Sequence, residues 1–174
     1  MPMLKVLKVF PDAKLPAKPK DKTDAGFDVF GYRVEKLYYH GGGNGERCLE
    51  GKDLGRKFID EHTFELQCNE RVLINTGLRV TVEAGWEIQV RSRSGRALKQ
   101  GLMVLNSPGT IDENYRGDLG VIILNTSRQA QQIVLGEAIA QIVPKRQEHL
   151  EIEEVTTFDD TKRGADGFGS TDKK

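Results

Sequence analysis

One stretch of the sequence combines turn residues with side chains that can do chemistry. Residues 106–118 (NSPGTIDENYRGD) lie between two apolar runs of strand-forming residues. Pro, Gly and Asn have defined backbone roles in turns, so the stretch predicts a tight β-hairpin. Its tip carries a carboxylate, Asp112, and an aromatic ring, Tyr115. The free backbone N–H and C=O groups of such a tip can bind a flat heterocycle, and Asp112 can act on a group attached to it. The alternative is a surface turn that happens to contain Asp and Tyr.

Two other segments have the composition of an anion site. Residues 91–96 (RSRSGR) follow a predicted strand and are predicted to open a short helix, where backbone N–H groups, hydroxyls and guanidinium groups can hold phosphate. The tail at 163–171 (RGADGFGST) combines an Arg, a Phe flanked by glycines and two hydroxyls, which suits a segment that closes over a ligand. A charged strand end and an unstructured terminus are the respective alternatives. No Walker-type phosphate loop occurs in the sequence.

The bulk composition limits the classes of function. A chain of 174 residues is most simply one domain, and 26 basic against 26 acidic residues argue against a general nucleic-acid binder. With 37% apolar residues, no stretch predicts a signal peptide or a membrane span. Cys48 and Cys68 are interpreted as reduced thiols of a cytosolic protein. Together with His40 and His62 they match no compact zinc-ligand spacing.

Short strands separated by glycine turns, with almost no helical periodicity, predict an all-β sandwich or barrel. Residues 33–62 differ, because they contain the glycine-rich run 41–45 and a highly charged run 53–61. They predict an excursion from the core, formed by two strands or a short helix around a flexible loop. Residues 161–174 have no core-forming pattern and are predicted to be mobile. Strands are predicted at 5–10, 63–67, 72–74, 78–82, 86–90, 102–105, 119–124, 132–135, 138–143 and 150–155.

Five segments, in this order, resemble the motifs of the trimeric dUTPase family. The resemblance implies an all-β subunit with a distorted jelly-roll or β-barrel-like fold, assembled as a homotrimer with shared active sites. It implies a β domain at 1–160, with the excursion at 33–62 inserted, and a flexible C-terminal arm at 161–174 that closes over the active site. The segments are 25–29 (AGFDV), 93–95 (RSG), 109–117 (GTIDENYRG), 136–141 (GEAIAQ) and 163–171.

The same resemblance implies hydrolysis of dUTP to dUMP and pyrophosphate, which limits uracil in DNA and supplies dUMP for dTMP synthesis. Mg²⁺ is the implied cofactor, and the implied location is the cytoplasm, or that of a host cell if the protein is viral. Neither membrane association nor direct nucleic-acid binding is expected. The alternatives are a dCTP deaminase-type relative and a regulatory protein of the same fold that binds a protein partner, through the 33–62 excursion. The deaminase would not need Tyr115 or Phe168.

The roles of individual residues also follow from the resemblance. Asp112 corresponds to the carboxylate that orients or deprotonates the attacking water and contacts the sugar 3′-hydroxyl. Tyr115 corresponds to the ring that packs on deoxyribose and excludes a 2′-hydroxyl. Asp28 corresponds to the acid that holds Mg²⁺ through water. The other implied substrate-binding residues are Asn106, Gly109, Thr110 and Ile111 for the uracil edge, Arg93, Ser94, Gly95 and Gln141 for the phosphates, and Arg163, Phe168, Gly169 and Ser170 in the closing arm.

Four positions depart from the usual motifs of that family. Ser92 stands where proline is common, Arg96 where leucine is common, and Ala138 in place of a frequent arginine. Asp166 replaces a glycine and adds a negative charge to an arm that is expected to surround a triphosphate. None of the implied catalytic positions is lost.

Overall fold

The computed structural model describes residues 3–40, 45–162 and 164–165. Within them, thirteen strands accompany one short α-helix and one 3-10 helix, so the prediction of an all-β protein is confirmed. The α-helix, α1, is Ser94–Gln100, and the 3-10 helix is Gly51–Lys57. The strands are β1 Lys5–Lys8, β2 Phe27–Phe30, β3 Arg33–His40, β4 Glu46–Glu50, β5 Thr63–Leu66, β6 Arg71–Asn75, β7 Leu78–Thr81, β8 Trp86–Arg91, β9 Leu102–Val104, β10 Gly109–Ile111, β11 Gly120–Asn125, β12 Gln131–Val134 and β13 Ala138–Arg146.

Two antiparallel sheets carry the core. One has the strand order β4-β3-β6-β11-β9 and the other the order β10-β8-β13-β2, while β1-β7 and β12-β5 form two-stranded sheets. Because side chains alternate between the faces of a strand, β11 buries Val121 and Ile123 and β8 buries Ile88 and Val90. These residues belong to one hydrophobic cluster that takes members from both large sheets. The core therefore lies between the sheets.

The predicted hairpin at 106–118 is only partly correct. Its flanking strands, β9 and β11, do pair antiparallel, with Val104 opposite Ile123. The tight tip is wrong, because β10 leaves this sheet and pairs with β8 in the other one, with Gly109 opposite Val90. Burial of Ile111 explains the difference, since its side chain belongs to the core and a tight tip would leave it in water. The connection is therefore a long loop that contributes one strand to the opposite sheet.

Residues 33–62 contain the two predicted strands, β3 and β4, followed by the 3-10 helix. They do not stand apart from the core, because β3 pairs with β6 and Leu37, Leu49 and Leu54 belong to the hydrophobic cluster. The buried residues Val34 and Leu37 are three positions apart, a spacing that simple strand alternation cannot place on one face. A register shift in β3, between Val34 and Lys36, brings both to the inner face. The segment thus widens the main sheet.

The C-terminal part of the chain differs from its prediction. The alternating run 150–155 is not a strand, and Leu150 and Ile152 are 88% and 100% exposed. Its apolar side chains find no sheet edge to cover within the described chain. The predicted mobility of 161–174 falls largely on residue 163 and residues 166–174, which lie outside the described residues.

Neither described helix has the length and apolarity required to cross a membrane. Cys48 and Cys68 are exposed free thiols. Across the described ranges, no three His, Cys, Asp or Glu side chains are grouped as metal ligands.

A nearly buried ion pair fastens the 3-10 helix to the body of the protein. Lys57 Nζ lies 2.7 Å from Glu70 Oε1, and the Glu70 side chain is only 8% exposed. The other carboxylate oxygen of Glu70 accepts a hydrogen bond from the backbone N–H of Gln67 at 2.8 Å. Removing Lys57 would leave this carboxylate buried without its cation, which is costly.

We therefore expect Lys57→Ala to lower the free energy of unfolding by about 1–3 kcal/mol, measured by urea denaturation. The matched control is Lys36→Ala, which removes a lysine from an exposed pair with Glu50 at 3.2 Å. Exposed pairs contribute at most about 1 kcal/mol, so the control should lose less. Equal losses in the two variants would show that the Lys57–Glu70 pair does not hold the 3-10 helix in place.

Candidate functional site

Three of the predicted site residues meet around one buried carboxylate. Asp28, on β2, is 6% exposed, and its Oδ1 accepts hydrogen bonds from Arg93 Nε at 3.1 Å and Gln141 Nε2 at 3.2 Å. Its Oδ2 lies 3.1 Å from Arg93 Nη2, which makes the Arg93 contact bidentate. Strand pairing explains this meeting, because Gln141 on β13 lies opposite Asp28 on β2 and opposite Arg91 on β8. This group holds a paired cation and a side-chain amide at one end of the sheet.

The turn after β8 places Ser94 and Gly95 at the same cavity as Arg93 and Gln141. Arg93 has extended backbone angles (φ −82°, ψ 124°), and α1 begins immediately after it at Ser94, so the predicted short helix is confirmed. The helix ends at Gly101, where φ is +66° and an added Cβ would lie 2.9 Å from the Ser127 backbone nitrogen. Arg93, Ser94, Gly95 and Gln141 line a cavity of about 580 Å³ beside α1.

Three departures from the family motifs have structural partners in this region. Arg96 has an 11% exposed side chain and forms an ion pair with Glu137 at 2.8 Å. Burial lowers the pKa of the Arg96 guanidinium, and the nearby Glu137 carboxylate opposes that shift. Ser92 Oγ accepts a hydrogen bond from the Val104 backbone N–H at 2.9 Å, which joins the end of β8 to β9. The third departure, Ala138, uses its backbone carbonyl to accept a hydrogen bond from Arg93 Nη1 at 3.2 Å.

A second group lies in the loop between β10 and β11. Tyr115 folds back over the loop, since its backbone N–H donates to Asp112 O and its hydroxyl donates to Asp118 O, both at 3.1 Å. Gly117 makes room for the ring, because an added Cβ there would lie 2.3 Å from Tyr115 Oη. Asp112 is exposed directly after β10, and its carboxylate has no hydrogen-bond or ion-pair partner among the described residues.

The remaining predicted residues of this group surround a second cavity or support it. Asn106 and Tyr115 line a cavity of about 400 Å³, whose walls include the apolar side chains of Leu73 and Ile122. Asn106 lies close to Gly109, where an added Cβ would be 3.0 Å from Asn106 Nδ2. The two residues that follow on β10 are Thr110, which is exposed, and Ile111, which is buried in the core. Ile111 can therefore offer a ligand only its backbone groups.

Sequence reasoning missed the residues that anchor this loop. Asp118 Oδ1 accepts a hydrogen bond from Arg79 Nε at 2.7 Å, and its other oxygen accepts one from Asn75 Nδ2 at 3.2 Å. These hydrogen bonds, with that from Arg79 the larger cause, lower the pKa of Asp118. Glu113 Oε2 accepts a hydrogen bond from the Gly85 backbone N–H at 2.5 Å. The only signal in the sequence was that Glu113 and Asp118 lie within the stretch 106–118. No pattern in the sequence indicated that Arg79 and Gly85 would be their partners.

The structure thus brings the predicted residues together in two groups and separates these groups within one chain. Ile111 lies opposite Ile88 on β8, and the two strands are antiparallel, so Asp112 lies past Ile88 toward the start of β8. Arg93 lies past the other end of β8, five residues after Ile88. At about 3.3 Å per extended residue, Arg93 is roughly 16 Å from Ile88, on the side away from Asp112. The predicted arm residues Arg163, Phe168, Gly169 and Ser170 lie outside the described residues.

Comparison with known proteins gives a consistent result. Residues 59–172 match the family model described as dUTPase. The deoxyuridine 5′-triphosphate nucleotidohydrolase of Wolinella succinogenes is 38% identical over 170 residues, which cover 98% of this chain and 94% of that protein. The protein of the same name from Fusobacterium nucleatum is 47% identical over 113 residues, covering 65% of this chain and 77% of that protein.

Solved structures agree on the fold. A mutant dUTPase of Staphylococcus bacteriophage 80alpha with dUpNHpp has a TM-score of 0.72 and 24% identity, covering 97% of this chain and 98% of that chain. A mutant dUTPase from phage phi11 of S. aureus, described with a structural Mg(II) ion, has a TM-score of 0.66 and 23% identity, covering 91% of this chain and 99% of that chain. At these identities the likeness shows a shared fold.

The contact between Tyr115 and Gly117 yields a direct test of the loop geometry. In a Gly117→Ala variant the new methyl group would overlap the Tyr115 ring, so the ring must move and its hydrogen bond to Asp118 O should be lost. A crystal structure of the variant would show the displaced ring. Gly55→Ala is the control, because an added Cβ at Gly55 has no neighbour within 4 Å. A Tyr115 ring that stays in place in Gly117→Ala would contradict the packing described here.

Proposed function

The chain belongs to the dUTPase family and hydrolyses dUTP, and we propose that it does so at sites shared between chains, with Asp112 as the catalytic carboxylate. The observation that carries this proposal is the separation of the two residue groups by the β8–β10 pairing. The group with Arg93 suits phosphates, while the group with Asp112 and Tyr115 suits a nucleoside. A single chain holds the two groups too far apart for Asp112 to act beside Arg93.

An apolar face next to the second cavity supports assembly with further copies. On the outer face of the five-stranded sheet, Ile122 lies opposite Leu73 and Leu124 lies opposite Met103. These side chains are only partly buried in one chain, and the neighbouring Leu105 is 42% exposed. A contiguous apolar patch of this kind marks an interaction surface. Leu73 and Ile122 also line the cavity of Asn106 and Tyr115, so a second copy packed here would reach that cavity.

The exposed segment after β13 supports the same conclusion. Leu150 and Ile152 alternate with glutamates, and Phe158, six residues after Ile152, is 91% exposed. Such a segment gains stability by laying its apolar side on the surface of another chain. We propose a homotrimer, in which each site takes its phosphate group from one chain and its nucleoside group from another.

In this arrangement the residues divide the work of hydrolysis. Asn106 and the backbone of residues 109–111 bind the edge of uracil, and Tyr115 packs on deoxyribose, where it leaves no room for a 2′-hydroxyl. Arg93, Ser94, Gly95 and Gln141 bind the phosphate oxygens through charge-assisted hydrogen bonds. Asp112 orients a water molecule and accepts a proton from it. The water oxygen then attacks the α-phosphorus in line, and pyrophosphate leaves from the opposite side.

The residues around Asp28 fit the role proposed for Mg²⁺. A carboxylate offers about four acceptor positions, and Arg93 and Gln141 occupy three of those on Asp28. One position on Oδ2 is left, which fits a water that belongs to a hydrated ion and not a direct, multidentate metal site. Asp28 would hold a hydrated Mg²⁺ through such a water, and the ion would supply positive charge that neutralises the leaving group.

The closing arm completes the proposal. Phe168 would stack on uracil, Gly169 would leave room for that stacking, and Arg163 and Ser170 would bind phosphate. The deaminase alternative is not favoured, because the relatives are named as dUTP nucleotidohydrolases. A protein partner bound through 33–62 and a cytoplasmic location both stay predictions.

Asp112→Asn tests the catalytic carboxylate. The amide keeps the size of the side chain but cannot accept a proton, so pyrophosphate release from dUTP should fall at least about a hundredfold. Calorimetric binding of the non-hydrolysable analogue dUpNHpp should persist. Asp53→Asn, at an exposed acid in the 3-10 helix, is the control and should keep wild-type turnover. Turnover of Asp112→Asn within a few-fold of wild type would exclude Asp112 as the base.

Mixed oligomers test the shared site. Chains carrying Asp112→Asn and chains carrying Arg93→Gln should each be nearly inactive alone. After refolding together at equal amounts, about a quarter of the sites (one half times one half) should combine an intact Asp112 with an intact Arg93 from different chains. Turnover should therefore recover to about a quarter of wild type. If oligomers verified as mixed by mass spectrometry show no recovery, both residues of a site come from the same chain.

A further inference from the structure

The cavity beside α1 contains more positive charge than the phosphate residues named above account for. Lys20, from the connector before β2, and Lys99, from the last turn of α1, line it together with Arg93 and Arg96. The two arginines are already paired, Arg93 with Asp28 and Arg96 with Glu137. Neither lysine has an ion-pair partner within 4.0 Å among residues 3–40, 45–162 and 164–165. The lysines are therefore the cations of this cavity that no ion pair holds in place within the described chain.

The connector holds Lys20 at the cavity through a compact turn. Asp24 Oδ2 accepts hydrogen bonds from the backbone N–H groups of Lys20 at 2.8 Å and Asp21 at 2.9 Å. These backbone hydrogen bonds lower the pKa of the Asp24 carboxyl, so the acceptor stays ionised at neutral pH. Lys18 adds a second anchor, because its Nζ bonds to Asp24 O and lies 3.8 Å from the centre of the Phe27 ring. Lys20 thus comes from a backbone fixed against β2.

We propose that Lys20 and Lys99 bind the two terminal phosphate groups of dUTP and the pyrophosphate released from it. This inference rests on the proposal that the α1 cavity holds the phosphates. The cavity, about 580 Å³, is in the size range of ligand sites, roughly 300–1,000 Å³. Negative charge builds on the leaving group as its bond to the α-phosphorus breaks. The two arginines are held by Asp28 and Glu137, whereas the two lysines form no ion pair within the described chain and can turn their ammonium groups toward this charge.

The type of side chain agrees with this role. A lysine ammonium is a compact charge with three donors on a flexible stem, so it can follow a pyrophosphate that moves away from the α-phosphorus. The arginines, fixed in bidentate or buried pairs, suit a part of the ligand that stays in place. Contacts of the lysines with the terminal phosphates should therefore affect binding of dUTP and pyrophosphate, but not binding of dUMP.

Product inhibition separates these contacts from the rest of the site. We expect Lys20→Gln and Lys99→Gln each to raise the inhibition constant of pyrophosphate about threefold, and the double variant about tenfold, at low salt. The inhibition constant of dUMP should not change. Both effects should shrink at high ionic strength, because salt screens partly exposed charges. The charge-retaining variants Lys20→Arg and Lys99→Arg should keep most of the pyrophosphate affinity.

Lys22 provides the control for the two lysine variants. Lys22→Gln removes an exposed lysine from the same connector that does not line the cavity, and it should leave both inhibition constants unchanged. An unchanged pyrophosphate constant in the double variant, or equal changes for pyrophosphate and dUMP, would overturn the inference. Arg93→Gln distinguishes failure of the lysine inference from failure of the proposed phosphate site. If this variant too leaves the KM for dUTP unchanged, the assignment of the phosphate site itself is wrong.

Discussion

The pairing of β10 with β8 is the constraint on which the arrangement of the whole site depends. It draws the chain out of the β9–β11 hairpin and buries Ile111 between the sheets. Since β10 runs antiparallel to β8, the residue that follows it is carried away from the end of β8 where Arg93 begins the next turn. Packing of one apolar residue thus decides where Asp112, the proposed catalytic carboxylate, lies. The same pairing that stabilises the single chain keeps Asp112 away from Arg93, and our proposal of a shared site rests on this separation.

At the other end of β8, a buried carboxylate sets the electrostatics. Asp28 is almost inaccessible to water, and a carboxylate in that position requires a cation and further hydrogen bonds to be stable. Arg93 and Gln141 supply both, and their donors are held in place before any ligand arrives. The remaining donors of Arg93 point from a fixed guanidinium plane, and such preorganisation lowers the cost of binding phosphate. In the proposed site, Asp28 would therefore act on the ligand mainly by orienting Arg93, and its one remaining acceptor position could take a water.

The sequence predicted those features that depend on local patterns. Alternating apolar residues gave most strands, and the Ser-Gly pair after Arg93 indicated the start of α1. Features that depend on distant partners were not predictable. The spacing of Val34 and Leu37 suits a shared face only with the register shift in β3, and nothing local fixes that shift. The strand predicted at 150–155 is wrong, because alternation is typical of a strand but a strand also needs a partner, which the described chain does not provide. For the site, residue types were readable from motifs, whereas the division into two groups required the sheet register.

The balance of charges shows how a chain with no net charge can attract a triphosphate. The total of 26 basic and 26 acidic residues says nothing about where the charges lie. The two arginines of the α1 cavity are paired with acids outside its lining, Asp28 and Glu137, whereas the two lysines that line it form no ion pair within the described chain. The loop with Asp112 has the opposite arrangement, because Asp118 is paired with Arg79 while the Asp112 carboxylate has no partner within the described chain. In the proposed shared site, the Asp112 carboxylate of one chain would face the two lysines of another chain across the substrate. The lysines would then attract the phosphates while the Asp112 carboxylate repels them, so the opposite charges of the two groups would favour one orientation of the triphosphate, although the formal net charge of the chain is zero.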